Sequence, residues 1–184
     1  MLEPYCFAGQ KKLRKINIPA SIEIIPSYAF ADCEKLNKIE LPDNIKIICD
    51  YAFKNCNKLY DINFPQNLRI IEGRAFYECA TLPEVRLQNV KYISGRAFEK
   101  CYNLKTVEIN GDIERLYSYT FDVCLNLNDV KLTNNIKYIA NDTFRNCNSL
   151  EDEKLFYNRE KTHQYQEVQD REKLEEFKIQ IMNE

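Results

Sequence analysis

The chain has 184 residues, enough for one domain with a substantial core, and a formal charge of −2. A balance this close to neutral gives no overall pull towards nucleic acid or an anionic membrane, and no apolar run approaches the length of a membrane span. The charge is unevenly placed: residues 1–150 hold 20 Lys+Arg against 18 Asp+Glu, while residues 151–184 hold 6 against 10 and read as a separate acidic tail. No basic-then-apolar export signal is visible at the N-terminus, which leaves the location of the chain open.

From the N-terminus, Tyr5-Cys6-Phe7 opens a unit that returns as Tyr28-Ala29-Phe30 and Tyr51-Ala52-Phe53. Phe7, Phe30, Phe53, Phe76, Phe98, Phe121 and Phe144 are spaced 23, 23, 23, 22, 23 and 23 residues apart. A fixed period of this size predicts a solenoid of stacked coils over residues 1–150. The first unit is entered mid-repeat with no polar cap before it, so the chain is expected to be a piece of a longer array or to expose an end that meets something.

Each coil reads alike. Ala-Phe-x-x-Cys-x-x-Leu places apolar residues at i, i+3 and i+6, which predicts a short helical turn. The alternation Leu36-x-x-Ile39-x-Leu41 then predicts a short strand, closed by Pro19, Pro42 and Pro65 in the first three coils. A second apolar pair (Ile22/Ile25, Ile45/Ile48, Leu68/Ile71, Val90/Ile93, Ile113/Leu116, Ile136/Ile139) predicts a second strand. Equivalent strands of successive coils run parallel about 4.8 Å apart, so six steps give a stack of about 30 Å. The single 22-residue spacing has its cause in the turn Leu87-Gln88-Asn89-Val90, one residue shorter than Phe64-Pro65-Gln66-Asn67-Leu68.

Cys33, Cys56, Cys79, Cys101, Cys124 and Cys147 each follow a repeat phenylalanine by three residues and would stack in one row. A disulfide ladder and a zinc site are conceivable. The row reads better as small hydrophobes filling a tight corner with free thiols, since no Cys-x-x-Cys pair exists and the one histidine, His163, lies outside the repeats. The repeat fails after Leu150. From about Lys161 to Met182 the composition favours helix, with Tyr165, Val168 and Ile179 on one side and Leu174, Phe177 and Ile181 on another. This tail, residues 151–184, is expected to cap the last coil, to bind a partner, or to pair with its own copy.

Across residues 5–150 the unit resembles the BspA-like leucine-rich repeat family, on Ile48, Tyr51-Ala52-Phe53, Cys56, Leu59, Ile62, Phe64 and Pro65 in one coil and their counterparts in the others. The resemblance implies a right-handed, β-rich leucine-rich-repeat solenoid with a C-terminal helical segment. It further implies a bacterial or protist protein, often secreted or at the cell surface, that binds host proteins, matrix or other cells, with no shared catalytic residues and no cofactor.

No catalytic constellation is legible: no Ser-His-Asp set can be assembled, and Gly9, Gly73, Gly95 and Gly111 form no phosphate loop. Asn141-Asp142-Thr143 matches an N-glycosylation acceptor, a triplet common by chance. No metal or cofactor is expected. Binding candidates are the outward positions of the first strand, in one row Lys15, Lys38, Asp61 and Glu84, continued by Thr106 and Asp129, in the other Asn17, Glu40, Asn63, Arg86, Glu108 and Lys131. The first row runs from basic to acidic and would orient a partner, or is an ordinary solvated face. In the second strand, Ile24, Ile47, Ile70, Tyr92, Arg115 and Tyr138 form a mostly apolar row edged by Lys46, Arg69, Lys91 and Lys137. It is either core or an outward interaction patch, on which the acidic tail of the same molecule could lie. The expected function is a non-catalytic protein-binding module for adhesion or cell-surface recognition of a protein or other macromolecule, with no nucleic-acid partner. The alternative is a self-associating scaffold that uses the first coil or the tail helix.

Overall fold

The computed structural model describes residues 1–151 and 168–183. In chain order the coils supply β1 (Lys15–Asn17) and β2 (Ile24–Ile25), β3 (Lys38–Glu40) and β4 (Ile47–Ile48), β5 (Asp61–Ile62) and β6 (Ile70–Ile71), β7 (Glu84–Leu87) and β8 (Tyr92–Ile93), β9 (Thr106–Ile109) and β10 (Arg115–Leu116), β11 (Asp129–Leu132) and β12 (Tyr138–Ile139). Helix α1 (Val168–Asn183) follows. Every paired neighbour is parallel and one coil apart, as Ile16 opposite Ile39 opposite Ile62, and Ile25 opposite Ile48 opposite Ile71. The chain is thus a two-sided β-solenoid with the repeat's apolar positions inside.

Each side is interrupted once. The first-strand sheet runs β1-β3-β5 and resumes as β7-β9-β11. Asn37 and Tyr60 give their N–H groups to Arg14 and Asn37 one coil earlier, at 3.1 and 3.2 Å. Pro83 stands at the equivalent place in the next coil and has no N–H to give, so the ladder breaks there. The second-strand sheet runs β2-β4-β6-β8 and resumes as β10-β12, just past the shortened turn. At that turn a Cβ on Gly111 would lie 2.2 Å from the Val90 carbonyl oxygen and 2.7 Å from its nitrogen, so a coil one residue short is tolerated because its neighbour is glycine.

Inside, the phenylalanines form one continuous stack. Ring centroids from Phe7 through Phe144 are 5.1–5.4 Å apart and within 9° of parallel, the 22-residue step included. Each buried Phe contributes roughly 1.5–3 kcal/mol by burial, and each stacked pair about 0.5–1.5 kcal/mol more. The cysteine row lies beside it as free, buried thiols. Each thiol donates to the phenylalanine carbonyl of the preceding coil, as Cys56 Sγ to Phe30 O at 3.2 Å and Cys79 Sγ to Phe53 O at 3.2 Å. Cysteine therefore fills the corner and also satisfies a buried acceptor. In the first coil, Gln10 replaces it.

The turns fall where the spacing places them, but their backbone is a run of tandem β-turns instead of a helical turn. In each coil alternate N–H groups bond within the turn and to the next coil: Ala29, Ala31 and Cys33 donate to Pro26, Tyr28 and Phe30, while Tyr28, Phe30 and Asp32 donate to Asp50, Ala52 and Lys54. This alternation needs left-handed backbone at two places in each of the first six coils and at one in the last. Tyr5, Tyr28, Tyr51, Arg74, Arg96 and Tyr119 hold one, and Gly9, Asp32, Asn55, Glu78, Lys100, Val123 and Asn146 the other, all with φ between 53° and 70°. The apolar spacing i, i+3, i+6 suits either conformation, because both turn the chain back in about three residues.

Helix α1 does not join the solenoid core. Ile181, with Leu174 and Phe177, forms a separate apolar cluster on the outer surface of β2-β4-β6-β8, with Ile24, Ile47, Ile70, Tyr92 and Cys49. The helix thus covers a side of the stack, and Ile179 on its far side is 65% exposed. Tyr165 and the stretch before Val168 lie outside the described residues.

Candidate functional site

Lys15, Lys38 and Asp61, with Asn17 opposite Glu40, are in register on the first sheet, Glu84, Arg86, Glu108 and Lys131 lie on the sheet that resumes after the break, and Asn63 follows β5 just outside it. Its charges are matched locally. Lys38 reaches Asp61 at 2.9 Å and Glu40 at 3.3 Å, Arg86 reaches Glu84 at 3.0 Å and Glu108 at 3.2 Å, and Lys131 reaches Asp129 at 3.6 Å. Hydrogen bonds to Asp61 and Glu40 raise the Lys38 ammonium above its usual range, and Glu84 does the same for Arg86. The basic-to-acidic run is therefore largely spent on neighbours. Asn63 is a backbone staple: its Oδ1 accepts the Leu41 N–H at 2.7 Å and its Nδ2 donates to the Leu41 carbonyl at 2.8 Å.

The apolar row of the second sheet faces outward from the solenoid core, and α1 covers part of it. Ile47 and Ile70 are 2% and 0% exposed beneath the helix, while Ile24 and Tyr92 are half-buried at its margins. Among the described residues an ion pair crosses this contact, between Lys178 of α1 and Glu72, whose side chains are 24% and 3% exposed. Among the described residues its polarity is the reverse of an acidic tail on a basic edge. Lys46 is paired with Glu23 at 3.5 Å and Lys137 with Glu114, each between neighbouring coils on the surface and not with α1. Burial pushes the Glu72 carboxyl above its usual range, with Lys178 opposing. For Lys178, burial pulls downward, but the bonds to Glu72 and Glu175 outweigh it and hold the ammonium above its ordinary value. Cys49 beside them is pushed up to about 12, by burial first and then by the charge of Glu72.

Beyond α1 the same side opens into a groove of about 320 Å³. One wall is the left-handed row, continued by Tyr51, Arg74 and Arg96; the other is the outer row of the second sheet, Tyr92, Arg115 and Tyr138; Tyr117 and Leu174 of α1 also line it. Gly95 in its floor lies where a Cβ would come within 2.8 Å of the Ser118 carbonyl, so neighbouring coils approach closely there. The arginines are held in place. Arg74 Nη1 donates to the Tyr51 hydroxyl at 2.7 Å, Arg96 Nη1 to Glu99 at 3.2 Å, Arg96 lies 4.2 Å from the Tyr119 ring centroid and Arg115 5.7 Å from that of Tyr138. Up the same row, Tyr5, Tyr28 and Tyr51 stack at 4.6 and 4.7 Å.

The structure thus divides the sequence candidates. Tyr92 and Tyr138 both line the groove, Ile24, Ile47 and Ile70 belong to the α1 contact, and the ten first-strand residues lie on or beside the two sheets of the other side. Tyr51, Arg74, Arg96 and Tyr117 escaped the sequence reading. The available signal was Arg74 and Arg96 standing in a column that carries tyrosine in four other coils, Tyr5, Tyr28, Tyr51 and Tyr119, and Asp142 in the last.

Among the described residues no three His, Cys, Asp or Glu side chains gather as a metal site, and no helix is long and apolar enough to cross a membrane. His163 lies outside them. Burial pushes the thiols of Cys56, Cys79 and Cys101 well up, so they stay protonated and weakly nucleophilic.

Parallel strand pairs stacked at a 23-residue period around an aromatic column define a leucine-rich-repeat solenoid. The chain belongs to the BspA type leucine rich repeat family, whose profile matches residues 1–124 and 87–183, in six copies. It is 32% identical to the T. pallidum leucine rich repeat protein TpLRR, with a TM-score of 0.78 over 84% of this chain and 76% of that one. It is 29% identical to a leucine-rich repeat protein from Bacteroides ovatus, with a TM-score of 0.61 over 80% of this chain and 44% of the other. The pneumococcal vaccine antigen PcpA is 28% identical, with a TM-score of 0.56 over 72% of this chain and 31% of its own. No curated protein matches the chain.

Proposed function

We propose that the chain is a non-catalytic binding module that recognises a protein or other macromolecule through the tyrosine-arginine groove, in the adhesive or cell-surface role the family resemblance implies. The observation that carries this reading is the groove lining, with four tyrosines and three arginines. These residue types dominate binding hot spots, because each combines a large contact area with directed hydrogen bonds. Arg74 and Arg96 are already fixed by Tyr51, Glu99 and Tyr119, so less side-chain entropy is lost when a partner docks. Guanidinium groups in a concave site favour a partner presenting carboxylates or other planar anions. The lining holds no nucleophile paired with a base, which supports binding over turnover.

The test is surface plasmon resonance of the full chain against immobilised matrix and cell-surface proteins. Arg74→Gln with Arg96→Gln is compared with Lys15→Glu with Lys38→Glu, each variant checked for folding by circular dichroism. The groove pair is expected to lose at least about tenfold in affinity, the scale of one buried hot-spot interaction, and the first-strand pair much less. Binding that survives the groove pair and falls with the lysine pair would sink this reading.

A further inference from the structure

We propose that the outer surface of β2-β4-β6-β8 is a helix-receiving surface whose occupant is exchangeable, so that α1 of a second copy replaces the chain's own and two chains pair by reciprocal helix exchange. This does not rest on the groove reading.

The argument begins with what α1 leaves intact. The apolar cluster that includes the phenylalanine stack and the cysteine row contains none of the described side chains of α1, 174–183, and closes on residues of the repeats themselves. What α1 does complete is the outer row. Ile47 and Ile70 would be an exposed apolar strip without it, and Glu72 would lose the ammonium that meets its carboxylate. The surface needs a helix with apolar residues at i, i+3 and i+7 and a lysine at i+4, the pattern of Leu174, Phe177, Lys178 and Ile181. Every copy carries both halves of that match. A contact within one chain is formed equally well between two, with the same side chains, and its energy differs only through the tether.

The tether permits it. Sixteen residues, 152–167, separate the last described residue of the array from α1. At about 3.4 Å per residue their contour is about 55 Å, longer than the whole stack of about 30 Å. The chain's own helix is present at any dilution, whereas a second copy's must be supplied by concentration, so dilute protein stays closed and exchange emerges as the chain is concentrated, as on a crowded surface.

Two complementary full-length variants isolate the exchange, both with Cys6→Ser to remove the exposed thiol. Glu72→Lys faces Lys178 with a like charge and spoils the receiving surface while keeping α1. Phe177→Asp spoils α1 while keeping the receiving surface. Mixed at high concentration, they have one functional pairing available, and it lies between chains. Analytical ultracentrifugation is expected to show a species of twice the monomer mass, and alkylation of Cys49 in the Phe177→Asp chain should slow at least tenfold on mixing. Monomers throughout, or doubled mass without protection of Cys49, would overturn the proposal. If Glu72→Lys loses its β circular dichroism, Ile70→Asp serves as the helix donor in its place, with the same outcomes.

Discussion

Replacing Lys178 by alanine tests what holds α1 on the solenoid. The apolar part of the contact is small: Ile181 is 2% exposed, while Leu174 and Phe177 are half-buried. At about 25 cal/mol per Å² this amounts to roughly 2 kcal/mol for Ile181 and about 1 kcal/mol for each of the others, or about 4 kcal/mol in all. Against it stands the Glu72 carboxylate, 3% exposed and without its ammonium in the variant. Stranding one partner of a buried pair costs about 3–5 kcal/mol. The two magnitudes cancel, so α1 should lift off and let water reach Glu72, while the solenoid keeps its melting temperature because its core excludes the helix. Cys49 reports the event. Its thiol, pushed up to about 12 when covered, returns towards the ordinary value of about 8.5, and at pH 8 the thiolate fraction rises from about one in 10⁴ to about a quarter. Alkylation of Cys49 in a Cys6→Ser background should therefore accelerate by at least about 10²-fold, the solenoid still covering part of the thiol. Adding Glu72→Gln should restore protection, since a neutral amide needs no counter-charge. Labelling of Lys178→Ala at the unmodified rate would refute the reasoning and leave docking to the apolar residues alone.

Three further outcomes are expected. Val123 is β-branched at a left-handed position, φ 59°, where other coils use Gly9, Asn55 or Asn146; Val123→Asn should stabilise the chain by about 1 kcal/mol and raise the calorimetric midpoint by about 2–4 °C, and an unchanged midpoint would deny the strain. Gly111→Ala forces a methyl group to within 2.2 Å of the Val90 carbonyl and should cost about 1–3 kcal/mol in urea unfolding, with a smaller loss showing that the turn yields freely. Cys79→Ala removes a buried sulfur and its bond to Phe53 O and should cost about 1–2 kcal/mol; in Ellman titration of the native chain Cys6 should react first and the buried row only on unfolding, so a fast row would contradict its burial.

The solenoid was legible because its signal repeats: Phe30, Cys33, Leu36 and Ile39 recur in phase, and periodic apolar residues pack. The turn conformation was not, because Tyr28, Arg74 or Val123 at a left-handed position carries no mark of it, unlike glycine or asparagine. The outer row was visible as apolar, but whether Ile47 and Ile70 faced the core or a neighbour depended on α1, a contact between segments far apart in the chain. Of the two sides read on that helix, the one with Leu174, Phe177 and Ile181 packs, and the clue was Lys178 among them with a lone acidic residue waiting at Glu72. The groove was least legible, since it joins the left-handed row to the second-sheet row, two parts of the coil whose adjacency no single period reveals.

The outer row that receives α1 has a translational ambiguity. Ile24, Ile47 and Ile70 present the same side chain at each step of the stack, so a helix held by apolar contact alone could slide by one coil and find an almost identical seat. Glu72 removes the degeneracy. Its counterparts are Glu3, Pro26, Cys49, Ser94, Tyr117 and Ala140, and the nearest other carboxylate in that column is the exposed Glu3, three coils away. A charge that adds little to affinity can still choose the register, as a buried polar residue does in a coiled coil. The Glu72–Lys178 pair acts as an index mark on an otherwise uniform ruler, so that coils added or lost elsewhere would leave the helix at the same place.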